Sequence, residues 1–278
     1  MKKVYIALFF TVALVYAGHF TDVRDGQTYR TVKIGKQIWM AENLNYYYDI
    51  GTARSMCAND RCNYGRLYTW SAAMDSAAFF DDCDGCNTSK GRDVIRGVCP
   101  AGWHLPDSTE WVALWEFTCA TVRNKVKAQT GIDLWKLSDL ISNGEDHEAE
   151  RKKVSALLVE KIEDALISED WVIEKEPLEL TVQEYLKSIG WLSKWKKASQ
   201  VKVVTGFDAL PGGCSFGCSI DTPREFASDI PWSNEAFFWS SSTFGRRRLV
   251  YAFVLKKYSR MGWDFEMKNA YYVRCIKN

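Results

Sequence analysis

The nine cysteines of this chain constrain its fold more than any other feature of the sequence. Three pairs lie close together along the chain: Cys57 and Cys62, Cys83 and Cys86, Cys214 and Cys218. Cys99 and Cys275 are the candidates for a long-range disulfide between the middle of the chain and its end. Cys119 is the expected free thiol. In an oxidising compartment, this count predicts a fold braced by four disulfides.

The first 17 residues predict export to such a compartment. Lys2 and Lys3 precede an apolar run that ends in Val15-Tyr16-Ala17, a pattern typical of a signal-peptide cleavage site. The run is shorter than the roughly 20 residues that span a bilayer. We therefore expect a signal peptide at 1–17, no transmembrane segment, and a mature protein that is secreted, periplasmic or held at the cell surface. The net charge is +1 without a basic block, so nucleic acid is not an expected partner.

Metal and redox chemistry are alternative interpretations of the cysteine pairs. Zinc would need two finger-spaced pairs or nearby histidines in a reducing compartment. A thioredoxin-like role for Cys83 and Cys86 would need a helix after the motif, but residues 87–91 read Asn-Thr-Ser-Lys-Gly, which is typical of a loop. The disulfide interpretation is therefore favoured.

Calcium is the remaining cofactor to consider. The oxygen-bearing side chains that would suit it are clustered in one loop: Asp81, Asp82, Asp84 and Asn87. A solvated turn closed by a disulfide explains this cluster equally well, and the Glu-Pro-Asn and Gln-Pro-Asp tripeptides of calcium-dependent lectins are absent. We expect no cofactor, with a structural calcium ion as the alternative.

Sequence patterns typical of β-strands occur on both sides of a helical middle segment. Residues 21–40 predict a short β-meander, because Asp-Gly and Gly-Lys turns separate runs of Tyr, Val, Ile and Trp. Residues 65–74 carry a short helical pattern. Further strands are expected near 237–243, 249–255 and 270–277.

The clearest local signal is a helix start at Asp107. Asp107 as N-cap and Glu110 three residues later form a capping box, which is favoured over an acid/base pair because capping explains the spacing unaided. The expected buried stripe comprises Trp111, Leu114 and Trp115. Cys119 falls on the same stripe, so we expect a buried and unreactive thiol.

Residues from about 120 to 200 are rich in Lys, Glu and Leu and carry helical periodicity. We expect a helical insertion at about 120–184 within one domain, 18–278. Apolar residues recur at helical spacing over 154–166 and again over 182–192. The second helix is expected to follow a capping box of Thr181 and Glu184. Packing on the parent core is the favoured interpretation of these stripes, and a partner surface is the alternative.

Seven ordered motifs carry a family resemblance. They are Asp-Gly-Gln-Thr-Tyr (25–29), Trp-Met-Ala-Glu-Asn-Leu-Asn (39–45), Tyr-Gly-Arg-Leu-Tyr-Thr-Trp (64–70), Cys-Pro-x-Gly-Trp-His-Leu-Pro (99–106), Gly-Phe-x-Ala-Leu-Pro-Gly-Gly (206–213), Phe-Trp-Ser-Ser (238–241) and Val-Arg-Cys (273–275). Together they resemble the Fibrobacter succinogenes major paralogous domain family, over roughly 20–118 and 185–278. The charged stretch of about 120–184 is longer than expected of that family, so no role carries over to it.

The resemblance implies a C-type-lectin-like fold of the α+β class. Such a fold has small twisted antiparallel sheets, two core helices, long disulfide-braced loops, and N- and C-terminal parts brought together. A bridge between Cys99 and Cys275 would fit that closure. The family implies export but no established activity.

We expect a non-catalytic binding or adhesion module whose loops recognise a glycan, such as a plant polysaccharide, or a surface protein. The candidate ligand-binding side chains are aromatic residues among turn residues: Tyr46, Tyr47, Tyr48, Trp232 and Trp263. Other tryptophans are expected to fill the core, namely Trp39, Trp70, Trp103, Trp111 and Trp239.

Two other functions are weighed against binding. One is a structural or assembly component of the cell surface that uses the helical insertion. The other is an enzyme of the formylglycine-generating type, but the late cysteines match no such motif, and His19, His104 and His147 accompany no hydrolase motif. His104 is expected to be a hydrogen-bonded structural residue.

Overall fold

The computed structural model describes residues 17–57, 62–75, 94–169, 177–211, 235–244, 249–255, 260–266 and 269–278. Within these ranges the chain forms two main β-sheets and six helices. The sheets are antiparallel except for one parallel strand pair. The mixed α and β composition predicted from the sequence is therefore confirmed.

The first sheet joins both ends of the described chain. Its strands, in spatial order, are β1 (Ala17–Thr21), β2 (Thr28–Ile34), β3 (Gln37–Met40), β12 (Ile276–Lys277) and β7 (Trp103–His104). The consecutive antiparallel pairing of β1, β2 and β3 confirms the predicted meander. Ile276 lies opposite Trp39 on one side and His104 on the other, so the C-terminal strand is inserted between two distant parts of the chain.

The second sheet has seven strands. In spatial order they are β10 (Arg260–Glu266), β9 (Leu249–Leu255), β8 (Ala236–Phe244), β11 (Ala270–Tyr272), β6 (Arg66–Thr69), β5 (Ala53–Cys57) and β4 (Asp49–Ile50). The helical pattern predicted over 65–74 is confirmed only for α1 (Trp70–Ala73). Residues 66–69 form a strand instead, because Leu67 and Tyr68 find backbone partners on both sides, in β5 and β11.

Helix α2 (Ser108–Thr130) begins where the sequence predicts. The Asp107 carboxylate accepts a hydrogen bond from the Glu110 backbone N–H at 2.8 Å, and the Glu110 carboxylate accepts one from the Asp107 N–H at 2.9 Å. This capping box is therefore confirmed. The helix ends at Gly131, whose φ of 71° is left-handed and suits glycine.

Aromatic side chains fill the core between and around the sheets, which together with α1 and the first half of α2 we call the body. Trp111 stacks on Phe253 with ring centroids 4.7 Å apart and packs against Trp39 at 4.8 Å. The tryptophans expected in the core are all buried: Trp39, Trp70, Trp103, Trp111 and Trp239. This part of the prediction is confirmed.

The middle of the chain forms a helical lobe, residues 122–203, with a hydrophobic core of its own. It comprises the second half of α2, α3 (Leu134–Asn143), α4 (Glu148–Glu163), α5 (Leu180–Ser188) and α6 (Leu192–Ser199). The last helix of the lobe ends at Ser199, in agreement with the helical periodicity predicted up to about residue 200. None of the described helices is long and apolar enough to span a membrane.

The capping box predicted at Thr181 and Glu184 is wrong. Helix α5 has Glu179 as its N-cap and no side-chain capping bond, so Thr181 lies inside the helix. The Gln183 side chain donates to the Leu178 carbonyl at 2.6 Å, which supports the earlier start. The helix predicted over 182–192 is also two helices, because Gly190 adopts a left-handed φ of 71° between them.

Two chain segments that run side by side join the lobe to the body. Ser168 donates its backbone N–H to the Ala209 carbonyl at 2.8 Å, and Ala209 donates to Leu166 at 2.9 Å. Ile167 and Ala209 form a parallel bridge. This pairing places Asp208, the residue before Ala209, at the surface of the body.

Candidate ligand-binding site

The loop that follows β3 is held from behind by the C-terminal segment. Met40 donates its backbone N–H to the Cys275 carbonyl at 3.0 Å, and Leu44 donates to Val273 at 2.9 Å. On the other side, Ala41 donates to the Arg30 carbonyl at 2.8 Å. Residues 41–45 are therefore fixed between the β2–β3 hairpin and the chain terminus.

Arg274 anchors this loop from inside the body. Its side chain is fully buried, and its Nε donates to Asn43 Oδ1 at 2.8 Å. The guanidinium also donates to three backbone carbonyls, those of Met40, Phe207 and Asp208. Its carbon lies 4.5 Å from the ring centre of Phe207, within cation–π range. Desolvation lowers the pKa of Arg274 to about 9, so the group stays largely protonated at neutral pH.

A polar cleft of about 280 Å³ opens in front of the anchored loop. Among its lining residues are Arg30, Glu42, Asn45, Tyr64 and Asp208. These residues come from the β2 strand, the 41–45 loop, the turn before β6 and the segment returning from the helical lobe. Four distant parts of the sequence thus meet at one surface depression.

An ion-pair network lines the cleft. Arg30 Nε lies 3.0 Å from Glu42 Oε1, and Arg30 Nη1 lies 3.0 Å from Asp208 Oδ2. The second Glu42 oxygen accepts a bond from the Arg30 backbone N–H at 2.7 Å. Desolvation lowers the pKa of Arg30, but the bonds to Glu42 and Asp208 outweigh it and leave the pKa raised. The guanidinium is therefore charged and held in one orientation.

Asn45 contributes a buried amide oxygen that has no hydrogen-bond partner among the described residues. Its backbone N–H donates to the Tyr29 hydroxyl at 3.0 Å, and its carbonyl accepts from Gln27 and Arg66. Its side-chain Oδ1 is buried without a hydrogen-bond partner in that part of the chain. Leaving such an acceptor unpaired costs about 1–3 kcal/mol.

The three consecutive tyrosines have different surroundings. Tyr46 is partly buried against the body core, and the Arg24 guanidinium carbon lies 3.9 Å from its ring centre. Tyr48 is 6% exposed and donates its hydroxyl to Asp75 at 2.8 Å, so its ring faces lie inside the body. Tyr47 alone among them is exposed, at 59%.

Tyr47 is an exposed ring two residues after Asn45, which lines the cleft. Its hydroxyl donates to Asp49 at 3.0 Å, and the guanidinium carbon of Arg66 lies 5.1 Å from its ring centre. Arg66 also donates from Nε to the Asn45 carbonyl at 3.3 Å. Arg66 therefore links the Tyr47 ring to Asn45, one of the residues that line the cleft.

A disulfide and a glycine shape the opposite wall. Cys57 and Cys62 are bridged across a separation of 5 residues, and Cys62 lines the cleft. Gly65 has a φ of 83°, and a Cβ there would lie 2.7 Å from the Asn43 Cβ. Only glycine therefore allows the turn to approach the anchored loop this closely.

The described cysteines agree with the sequence prediction. Cys57–Cys62 and Cys99–Cys275 are disulfides, and Cys119 is a free thiol. Burial raises the pKa of the Cys119 thiol to about 11, which keeps it protonated and unreactive at neutral pH. Cys119 and Trp115 are only partly buried, since they lie at the edge of the predicted stripe.

Several predicted residues lie outside the described part of the chain. These are Trp232, the pairs Cys83–Cys86 and Cys214–Cys218, and the calcium candidates Asp81, Asp82, Asp84 and Asn87. Trp263 belongs to strand β10, but its side chain is not described. Among the residues that are described, no group of three or more His, Cys, Asp or Glu side chains could hold a metal ion.

His104 is a structural residue, as predicted. Its Nδ1 bonds to the Asn278 side chain at 2.7 Å and its Nε2 to Glu110 at 2.9 Å. Burial lowers the pKa of His104, but the hydrogen bonds to Glu110 and Asn278 outweigh it, so the pKa is raised. The ring thus ties the α2 capping box to the chain terminus.

Sequence reasoning missed Arg30, Glu42 and Asp208 as site residues. Glu42 stands in the 39–45 motif, and Asp208 occupies the variable position of the 206–213 motif. For Glu42 and Asp208, the available signal was a charged side chain inside a motif that otherwise consists mostly of core and turn residues, whereas Arg30 directly follows the 25–29 motif. Only the three-dimensional structure shows that these motifs converge on one cleft.

Comparison with known proteins gives one match. The family model described as the Fibrobacter succinogenes major domain matches residues 32–277. No match was found among curated proteins or among solved structures.

Proposed function

The chain belongs to the Fibrobacter succinogenes major domain family, and from this premise we propose that it is an exported, non-catalytic module that binds a glycan at the Tyr47 ring and the adjoining polar cleft. The observation that carries the proposal is an exposed aromatic ring, held by Asp49 and Arg66, beside a cleft of hydrogen-bonding side chains. Sugars present an apolar C–H face and a rim of hydroxyls. The ring suits the face, and the cleft suits the rim.

Preorganisation supports a binding role for this surface. Tyr47 has few rotatable bonds, and its contacts to Asp49 and Arg66 limit the freedom it would lose on binding a ligand. The cleft is likewise fixed by Arg274, which bonds to Asn43 and to the Asp208 carbonyl. A surface that loses little conformational entropy on binding keeps more of its interaction free energy as affinity.

Export is supported by the two described disulfides, since such bridges persist in oxidising compartments. We propose that residues 1–17 are the export signal, so the mass of the exported protein should correspond to a chain that begins at Gly18. We also propose that the chain has a C-type-lectin-like fold. It is supported by the closure of the sheet through β12 and by the Cys99–Cys275 bridge.

Binding to insoluble polysaccharides tests the proposal. The oxidised mature protein is incubated with cellulose, xylan and other plant polysaccharides, alongside Tyr47→Ala and the control Trp135→Ala. Trp135 is comparably exposed, at 52%, but lies on the helical lobe. We expect saturable binding by the wild type and Trp135→Ala, and about tenfold weaker binding by Tyr47→Ala, corresponding to about 1.4 kcal/mol.

Two further arms test the remaining parts of the proposal. Binding should survive EDTA, because we propose no metal, and its loss would reassign the site to calcium. Binding should fall on reduction, because the Cys57–Cys62 bridge forms a wall of the cleft. Failure to bind any polysaccharide, or equal binding by Tyr47→Ala, contradicts the proposal.

A second function, assembly through the helical lobe, is favoured by exposed apolar residues on α3. Trp135 and Leu140 are both exposed, and Leu140 lines an open groove with Trp191 and Lys194. If this surface binds another protein copy, sedimentation of the wild type should show a concentration-dependent oligomer that Trp135→Ser with Leu140→Ser abolishes. A monomer at all concentrations would leave self-assembly without support.

A further inference from the structure

The charges of the cleft are balanced within the protein. Arg30 is paired with both Glu42 and Asp208 at 3.0 Å, so one guanidinium serves two carboxylates. The second positive charge is that of Arg274, buried directly behind the loop and bonded to the Asp208 carbonyl at 3.1 Å. Among the described residues, these two cations and two anions therefore balance each other at the cleft.

The remaining hydrogen-bonding capacity favours a ligand that donates. The buried guanidinium of Arg274 bonds to protein oxygens, and Arg30 donates to both carboxylates. The Glu42 and Asp208 carboxylates accept hydrogen bonds only and retain free lone pairs. Two of the five N–H groups of Arg30 are bonded in this way, and a ligand hydroxyl that enters the cleft meets carboxylate oxygens that can accept its hydrogen bond.

Asn45 adds a further acceptor. Its Oδ1 is buried without a partner among the described residues, although the residue lines the cleft. The terminal amide torsion of asparagine is soft, so rotation about it can turn this oxygen toward a donor in the cleft. A hydroxyl group would satisfy it, whereas a carboxylate would not.

We propose that the cleft selects an uncharged, hydroxyl-bearing sugar residue, held by donation to Asn45, Glu42 and Asp208, and rejects uronic acids. This inference rests on the proposed glycan-binding function and specifies its ligand. An acidic sugar would bring a third carboxylate beside Glu42 and Asp208, whose exposed counter-ion, Arg30, is already shared between them. Like charges repel, and the carboxylate of an acidic ligand would lose hydration in a cleft whose charges are already paired within the protein.

Calorimetry with matched hexasaccharides tests the selectivity. The wild type is titrated with xylohexaose, cellohexaose and mannohexaose as neutral probes and with hexagalacturonate as the acidic one. We expect at least one neutral probe to bind about tenfold or more tightly than the acidic probe. Its affinity should change little between low and high salt, because no net charge is neutralised.

A double variant tests the assigned charges. Glu42→Gln with Asp208→Asn keeps the shapes and leaves Arg30 uncompensated, and asparagine tolerates the left-handed φ of 51° at position 208. We expect this variant to lose neutral-sugar affinity and to gain affinity for hexagalacturonate by about tenfold. The control, Glu148→Gln with Asp139→Asn, removes the same two charges from the helical lobe and should behave as the wild type.

The outcomes separate this inference from the function on which it rests. Equal or tighter binding of hexagalacturonate by the wild type overturns the neutral-sugar inference and leaves glycan binding standing. The same holds if the lobe control shifts selectivity as much as the cleft variant does. If the wild type binds no hexasaccharide and no insoluble polysaccharide, both the inference and the proposed function fail.

Discussion

The body and the helical lobe are held together by contacts of very different range. In the body, β12 pairs with β3 and β7, and the Cys99–Cys275 bridge joins residues 176 positions apart. In the lobe, helices adjacent in sequence, such as α3 with α4 and α5 with α6, pack around side chains that are mostly aliphatic. The lobe is therefore specified locally, whereas the body is complete only when both ends of the chain are in place.

This difference explains where the candidate site lies. The cleft needs the β2–β3 hairpin, the C-terminal Arg274 and the segment returning from the lobe at Asp208. A surface built from such distant segments forms only in the fully folded body. Its integrity should therefore follow the stability of the body and be insensitive to moderate damage in the lobe.

The largest expected effect comes from the long-range disulfide. Replacing Cys99 and Cys275 together with alanine should lower the free energy of unfolding by about 5 kcal/mol, from the chain-entropy dependence on loop length. The matched double variant at Cys57 and Cys62, which opens a separation of only 5 residues, should cost about 2 kcal/mol. Urea titrations of both variants measure this difference. Equal losses would show that the body does not depend on closure of its ends.

A cavity in the lobe should have a smaller and more confined effect. Leu186 is fully buried in the lobe core, and Leu186→Ala should cost about 3 kcal/mol. We expect faster amide hydrogen exchange over 180–199 and unchanged exchange in β8 and β9. Equally accelerated exchange in those strands would mean that lobe and body unfold as a single cooperative unit. That result would contradict the local specification of the lobe.

The smallest expected effect concerns the pH dependence of the body. The folded-state pKa of His104 is raised above its usual value of 6.5, so its contribution is fully present below pH 6.5 and is lost as pH rises through the folded pKa. Between pH 6 and pH 9 the wild type should lose about 1 kcal/mol more stability than His104→Gln, the scale of one hydrogen bond.

The control for this measurement is His147→Gln. His147 is an exposed histidine of the lobe, with 62% of its side chain accessible. This variant should keep the pH dependence of the wild type. If His147→Gln flattens the profile and His104→Gln does not, the ion pair of His104 with Glu110 contributes nothing measurable.

Sequence reasoning succeeded where the determining contacts are local. The Asp107 capping box, the meander and the buried tryptophans follow from periodicity and turn residues over a few positions. It failed at Thr181, where packing of Val182 and Leu186 in the lobe core sets the start of α5. Nor could it find the cleft, since only the folded chain brings Arg30 within 3.0 Å of Asp208, 178 positions away.

Hydrogen-exchange footprinting of the bound state tests the central claim most directly. The protein is saturated with the polysaccharide fragment that binds best, and its exchange is compared with that of the free protein. We predict protection over residues 41–48, 62–69 and 207–211, with no change over 134–199. Protection confined to the helical lobe, or absent from all three body segments, would contradict the assignment of the binding surface to Tyr47 and the cleft.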